Sequence, residues 1–193
     1  MDEIKLHLGC SDRYLPGYIH VDIDNKPHID YPNVDVRNLK IFPDDSVDVI
    51  YNCGIFEYFD REEVPEILKE WRRVLKVGGV LRISVPDFES IIEVYSQNGK
   101  DLDGEGILGP LYGRWGVTLP NNTRTFLYHK TVYDYISLSK VLSCAKFINI
   151  HRYDCWEIMP EDYDDFSKAY IPYKDKSGIQ IHLNVECRKG PND

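Results

Sequence analysis

Four short β-prone runs open this chain, and each ends on a residue that can touch a ligand. Ile4 to Leu8 runs into Gly9-Cys10-Ser11-Asp12, and Tyr18 to Ile23 ends in the acids Asp22 and Asp24. A brief third run ends at Val34-Asp35-Val36, and Val47 to Tyr51 leads to Asn52 and Cys53. Gly9 has no Cβ, so the turn Gly9-Cys10-Ser11 can bring backbone close to a ligand. An acid at the end of the second strand can accept both hydroxyls of a ribose, the place held by Asp22, with Asp24 as its solvated neighbour. Asp35 is placed to accept from an adenine amino group, and Asn52 and Cys53 to face the middle of the same molecule. Ligands of open α/β sheets sit beyond the carboxyl ends of the strands, near the point where strand order reverses. Four successive strand ends with such groups predict one nucleoside-like cofactor.

The elements that must hold these residues follow the same rhythm. A helix is expected from about Glu62 to Leu75, with Val64, Ile67, Leu68, Trp71, Val74 and Leu75 on one face. Gly78-Gly79 ends it and leads into a strand from Val80 to Val85. Pro86-Asp87 then opens a second helix, buried through Ile91, Ile92 and Tyr95. Ser137 caps a third helix reaching about Ala145, followed by strands from Phe147 to Tyr153 and from Ile179 to Val185. Alternating strands and helices imply a mostly parallel sheet with helices on both faces. Two segments break the rhythm: 96–129, without sustained period and expected as an irregular lid or acceptor loop, and 154–177, a late insertion dense in acids and aromatics. With neither repeat nor linker, residues 1–193 read as a single α/β domain, frayed at Lys189-Gly190-Pro191-Asn192-Asp193.

Composition narrows the partners. A net charge of −9 disfavours nucleic acid, which needs a concentrated basic face. Five cysteines without a C-x-x-C pair argue against a disulfide framework or a zinc knuckle and fit a reducing compartment. The start of the chain is charged, and no apolar run approaches membrane-spanning length, so a cytoplasmic protein without a membrane span is expected.

The stretch Leu6-His-Leu-Gly-Cys-Ser-Asp-Arg-Tyr-Leu-Pro-Gly-Tyr-Ile-His-Val-Asp22 resembles the opening of small class I S-adenosylmethionine-dependent methyltransferases linked to polysaccharide and lipopolysaccharide biosynthesis. The likeness continues in Ser46-Val-Asp-Val-Ile-Tyr51, Leu68-Lys-Glu-Trp-Arg-Arg-Val-Leu-Lys-Val-Gly-Gly79, Arg82-Ile-Ser-Val-Pro-Asp87 and Tyr128-His-Lys-Thr-Val-Tyr133, hence over nearly the whole chain. It implies a Rossmann-like fold with a mostly parallel seven-stranded sheet and an antiparallel last strand. It also implies S-adenosylmethionine as cofactor, held by Gly9, Cys10, Ser11, Asp22, Asp35, Asn52 and Cys53. The sequence departs from the family at Ser11, where glycine is common, and at Gly54-Ile-Phe-Glu57-Tyr58, which keeps the acid of a His-x-x-Glu-His stretch and loses both histidines. Glu57 is left near the methionine end of the cofactor and is expected as a further cofactor-binding residue.

Methyl transfer from a sulfonium is an in-line displacement governed by positioning. A sugar hydroxyl, unlike an amine, needs a base as attack proceeds. His129, directly after the lid, titrates near neutrality and is the first candidate; Asp87, which could equally cap the following helix, is the second. Tyr112, Trp115 and Tyr128, with Trp156, Tyr163 and Tyr170 later, suit a ring-bearing acceptor such as a sugar or glycan precursor. Arg114 and Arg124 suit a phosphate on it, as in a nucleotide-linked sugar. No metal is expected.

Rival readings remain. A nicotinamide dehydrogenase would show G-x-G-x-x-G and a later acid. Asp22-Ile23-Asp24 has the D-x-D form of a nucleotide-sugar glycosyltransferase. An amino-group DNA methylase would carry Asn-Pro-Pro-aromatic where Asn52-Cys53-Gly54 stands. A non-catalytic relative that still binds the cofactor is compatible with the altered Gly54–Tyr58 stretch.

Overall fold

The computed structural model describes residues 3–104, 106–118, 121, 123–172 and 176–191. Chain order is β1 (Lys5–Leu8), β2 (Ile19–Val21), β3 (Val47–Cys53), α1 (Val64–Val74), β4 (Leu75–Pro86), α2 (Phe88–Gln97), α3 (Leu108–Tyr112), β5 (Trp115–Thr118), β6 (Arg124–Leu127), α4 (Tyr135–Cys144), β7 (Phe147–Arg152), α5 (Cys155–Ile158), β8 (Tyr170–Ile171), β9 (Ile179–Gln180) and β10 (His182–Lys189). The main sheet runs β2-β1-β3-β4-β10-β7. β10 is antiparallel to both β4 and β7, and the pairs among β1 to β4 are parallel.

Among the described residues this sheet has six strands, not the expected seven. The missing one is the third: only Tyr31 pairs with Val21, as an isolated bridge, and 34–36 is not a strand. Pro32 follows Tyr31 and has no N–H to give a ladder, and Asn33 turns left-handed at φ +60°. Val34 and Val36 still pack on the core.

One face of the sheet carries that core. α1 buries Val64, Ile67, Leu68, Trp71 and Val74, and α4 buries Leu138 and Leu142, against Leu6, Leu8, Ile50, Leu81 and Val185. α1 starts at Val64, with Pro65 in its first turn where a missing N–H costs nothing. It gives way at Leu75 directly to β4, so that strand begins before the Gly78-Gly79 pair rather than after it. The cap of α4 is Asp134, not Ser137: Asp134 accepts from Ser137 N, and Ser137 Oγ accepts from Asp134 N, a reciprocal capping box.

The opposite face is polar across the strands, with His20, His7, Tyr51, Arg82 and Glu186 paired in turn. Arg82 and Glu186 form an ion pair at 2.7 Å. The late insertion covers this face. Met159 and Tyr163 pack with Leu15 and Tyr51, and Asp165 accepts from Tyr51 Oη and from Ser167 N. Tyr163, expected to be free for a ligand, is thus largely spent on packing.

The 96–129 segment is more regular than its sequence suggests. α3 precedes a hairpin of β5 and β6 paired from Trp115–Leu127 to Thr118–Arg124, and Ile107 anchors the segment among Ile91, Val94, Ile171 and Ile181. At the other end, Lys189 is not frayed. It closes β10 with its ammonium buried on Asp45 and Leu75 O, while Asn192 and Asp193 lie outside the described residues.

Candidate functional site

Strand order reverses between β1 and β3: β2 lies beyond β1 on one side, and β4, β10 and β7 beyond β3 on the other. The crevice of such a sheet therefore opens past the ends of β1 and β3. Gly9 begins the turn there at φ +67°, donating its N–H to Val21 O at 2.9 Å. A Cβ at Gly9 would stand 2.2 Å from Ile55 Cγ2, so the glycine is needed both for backbone angle and for space. Cys10 is buried, and burial pushes its thiol up to about 12, which removes it as a nucleophile.

Asp22 organises this turn. Its Oδ2 accepts from Ser11 N and its Oδ1 from Asp24 N, both at 2.8 Å, with the residue only 6% exposed. A buried carboxylate fixed by two backbone donors keeps further lone pairs for a ligand's hydroxyls. Asp24 instead pairs with Lys26 at 3.0 Å, and Lys26 also reaches Asp12 and Ser11 Oγ. The Asp22-Ile23-Asp24 motif is therefore not a pair of free carboxylates. Among the described residues no group of three His, Cys, Asp or Glu is placed to hold a metal ion.

The remaining strand-end residues divide. Asp35 sits in a turn, half-exposed, bound to Arg37, which also reaches Glu63. Asn52 and Cys53 are the last two residues of β3 rather than past it. The Asn52 side chain is fully buried and donates to Arg82 O at 3.1 Å, on the core side of the strand.

A second group of residues gathers just beyond β3. Glu57, in a single turn at Phe56–Tyr58, is buried, and burial raises its carboxyl to about 8. Its Oε1 lies 3.6 Å from His129 Nε2, while its Oε2 is buried with no hydrogen-bond partner. His129 Nδ1 lies 2.8 Å from Pro110 O, and burial lowers the pKa of the ring. Tyr58 meets that ring edge-on at 4.6 Å. Gly113, at φ +53°, leaves the ring its space, since a Cβ there would lie 2.3 Å from Nε2. Asp87, buried at the end of β4, caps α2 through Glu89 N at 3.2 Å and stands 3.6 Å from Arg152, a structural task.

Three residues here were not singled out from sequence. Ser84 Oγ and His182 Nδ1 are 3.0 Å apart, and Phe166 stacks on His182 at 5.7 Å and packs over Gly54. Ser84 and His182 read as ordinary strand residues until β10 is known to run antiparallel beside β4. Phe166 comes from the insertion, whose aromatics carry no period.

Tyr112, Arg114, Trp115 and Tyr128 are brought together on the α3–hairpin surface. Tyr112 meets Tyr128 at 6.3 Å, and Arg114 lies 3.8 Å over Phe126 with Arg124 on the same ring at 5.8 Å. Tyr112, Trp115, Phe126 and Tyr128 are all exposed. A cavity of about 750 Å³ lies between α1 and α4, lined by residues such as Arg61, Val64, Lys140 and Val141.

A family model described as a methyltransferase domain matches residues 18–83. No protein of curated function matches the chain. Among solved structures, an S-adenosylmethionine-dependent methyltransferase of Methanosarcina mazei is 17% identical, covers 99% of this chain and 94% of its own, and superposes with a TM-score of 0.54. One from Archaeoglobus fulgidus is 16% identical over 97% of this chain and 86% of that one, with a TM-score of 0.55. The 1,6-didemethyltoxoflavin-N1-methyltransferase of Burkholderia thailandensis, solved with bound 1,6-didemethyltoxoflavin and S-adenosylhomocysteine, is 13% identical over 98% of this chain and 72% of that one, with a TM-score of 0.53. The fold matches that of these S-adenosylmethionine-dependent methyltransferases, with six strands in the main sheet among the described residues.

Proposed function

We propose that this chain is a methyltransferase that takes its methyl group from S-adenosylmethionine. The observation that carries the reading is the Gly9–Ser11 turn locked to buried Asp22 at the reversal of strand order. Asp22 would hold the ribose hydroxyls, the Gly9-Cys10-Ser11 backbone would lie along the cofactor, and Asp35 and the end of β3 would border it. The bound sulfonium supplies an activated methyl group, and the protein's part is to align an acceptor with it and exclude water. Calorimetric titration with S-adenosylhomocysteine tests this: binding is expected, and none at millimolar ligand overturns it.

For the acceptor, the reading is a hydroxyl of a sugar or glycan precursor. Its support is the exposed set Tyr112, Trp115 and Tyr128, whose rings can stack on sugar faces, beside Arg114 and Arg124, which can bind a phosphate. A small-molecule acceptor also accords with the Burkholderia enzyme. Methyl incorporation from labelled S-adenosylmethionine into nucleotide sugars and free glycans is the expected result; incorporation only into nitrogen heterocycles would replace it. A glycosyltransferase is disfavoured by the Lys26 pairing of Asp24. A cytoplasmic site of action belongs to the same reading, supported by five cysteines that are all unpaired; no helix among the described residues is long and apolar enough to cross a membrane.

A further inference from the structure

His129 was expected to meet the acceptor directly, but its ring faces Glu57. Pro110 O accepts a hydrogen bond from Nδ1–H, which fixes the tautomer and leaves Nε2 as an acceptor 3.6 Å from Glu57 Oε1. Pro110, Gly113 and Tyr58 wall the ring, whose side chain is 6% exposed. Glu57 stands nearer the crevice: Oε1 would lie 3.9 Å from a Cβ on Gly54, the residue that follows β3. Its Oε2 is buried without any partner, an arrangement that a ligand's donor would complete.

We infer that Glu57 and His129 form one proton-accepting unit for the methyl acceptor, in which Glu57 Oε2 meets the acceptor and His129, acting through it, takes up the proton. The inference rests on the methyltransferase reading and says which atoms of that site handle the acceptor's hydrogen.

The charges around the pair allow it. Tyr58 lies against the imidazole, Tyr133 and Cys53 stand near the carboxyl, and His182 is close enough to His129 for their charges to interact. Arg61 covers the Tyr133 ring, and Lys130 directs its ammonium to Glu63 while its N–H, with that of Thr131, binds Glu57 O. No described cation pairs with the Glu57 carboxyl. Burial is the dominant influence on both: it raises the Glu57 carboxyl to about 8 against a backbone hydrogen bond, and lowers the His129 ring against the backbone carbonyl that binds Nδ1. At neutral pH the pair then carries one proton, on the Glu57 carboxyl, with Oε1 3.6 Å from Nε2.

In the transfer, the acceptor's O–H bond breaks as its oxygen gains the methyl carbon. The carbon–sulfur bond breaks with its electron pair left on sulfur. The acceptor's proton arrives on Oε2, the proton of Oε1 passes to Nε2, and Glu57 ends neutral beside a His129 imidazolium. No other reactant is needed.

Nitrogen-15 NMR of the full-length protein labelled at histidine tests the unit without any acceptor. The His129 Nε2 resonance should be that of an unprotonated nitrogen at pH 7 and should show a step near pH 8 that vanishes in Glu57→Gln. A protonated Nε2 at pH 7, or a step that survives Glu57→Gln, overturns the pairing. Calorimetry with S-adenosylhomocysteine should give the same affinity, within about twofold, for wild type, Glu57→Gln and His129→Gln. Failure of wild type to bind sinks the methyltransferase reading itself; loss confined to Glu57→Gln makes Glu57 a cofactor ligand and overturns the inference alone. With the best acceptor from the glycan and nucleotide-sugar screen, each variant should lower kcat about 100-fold or more with KM for S-adenosylmethionine unchanged. The double variant should be no slower than either single one, as residues acting as a unit are non-additive. An unchanged kcat in Glu57→Gln overturns the proposal.

Discussion

Ser11 adopts φ +47° in a turn where glycine would be free of strain, and what holds it there is visible. Its N–H is fixed on Asp22 and its Oγ accepts from Lys26. Asp22→Ala removes the first of these anchors together with the proposed ribose acceptor. It should weaken S-adenosylhomocysteine binding by roughly 1–3 kcal/mol in calorimetry, the cost of a lost buried acceptor. Gly9 is less forgiving than Ser11, since its positive φ comes with Ile55 against the α-carbon. Gly9→Ala should lower stability by about 1–3 kcal/mol in urea unfolding, through left-handed strain plus overpacking. A variant as stable as wild type would mean that Ile55 moves aside freely.

At the scale of elements, α1 does the work of two. Trp71 is fully buried in the core, against Phe56 and Phe59, and its indole N–H reaches back to Val36 O at 2.8 Å. That bond holds the segment that a third strand would occupy, so part of the missing strand's cohesion comes from a helix side chain. Trp71→Ala should cost about 3–5 kcal/mol, measured by denaturant midpoint at unchanged m-value. It should also loosen the turn around Asp35, seen as faster amide exchange there. The amphipathic period of α1 was plain in the sequence because helix faces are local. The third strand was misread because β-propensity at 34–36 says nothing about whether a neighbouring edge offers partners, and Pro32 with left-handed Asn33 prevents the pairing.

For the whole molecule, buried titratable groups set how stability follows pH. His7, packed among Tyr51, His20 and Tyr163, and His182 beneath Phe166 are both held neutral by burial, their pKa lowered to about 3. Between that value and the ordinary 6.5 the unfolded chain binds protons the folded one refuses, so stability falls as pH falls through this window. Each contributes a slope of about 1.4 kcal/mol per pH unit. Glu57 works in the other direction: raised to about 8, it makes stability fall as pH rises from 4.5 to 8. These three groups together place maximum stability near about pH 6.5. His7→Phe should flatten the acid limb of a midpoint-against-pH curve, and Glu57→Gln should remove the decline between pH 6.5 and 8. An alkaline decline that persists in Glu57→Gln would mean that the carboxyl is ionised at neutral pH.

What the sequence determined by itself was local and periodic: the helix face of α1, the strand-and-turn order of β1 to β4, and the acid and glycine where a cofactor turn belongs. From these followed the mostly parallel sheet; the antiparallel last strand was what the family resemblance implied. Tertiary structure decided everything that depends on residues distant in the chain. It joined His129 to Glu57 and His182 to Ser84, because register between β4 and β10 and the path of the 108–129 segment are set by packing that no local pattern encodes. It turned Asp87 into a helix cap and Tyr163 into core, since burial belongs to the assembled molecule. The physical reason is the range of the forces involved: backbone propensity acts over a few residues, whereas desolvation and side-chain pairing act only once the chain has closed on itself.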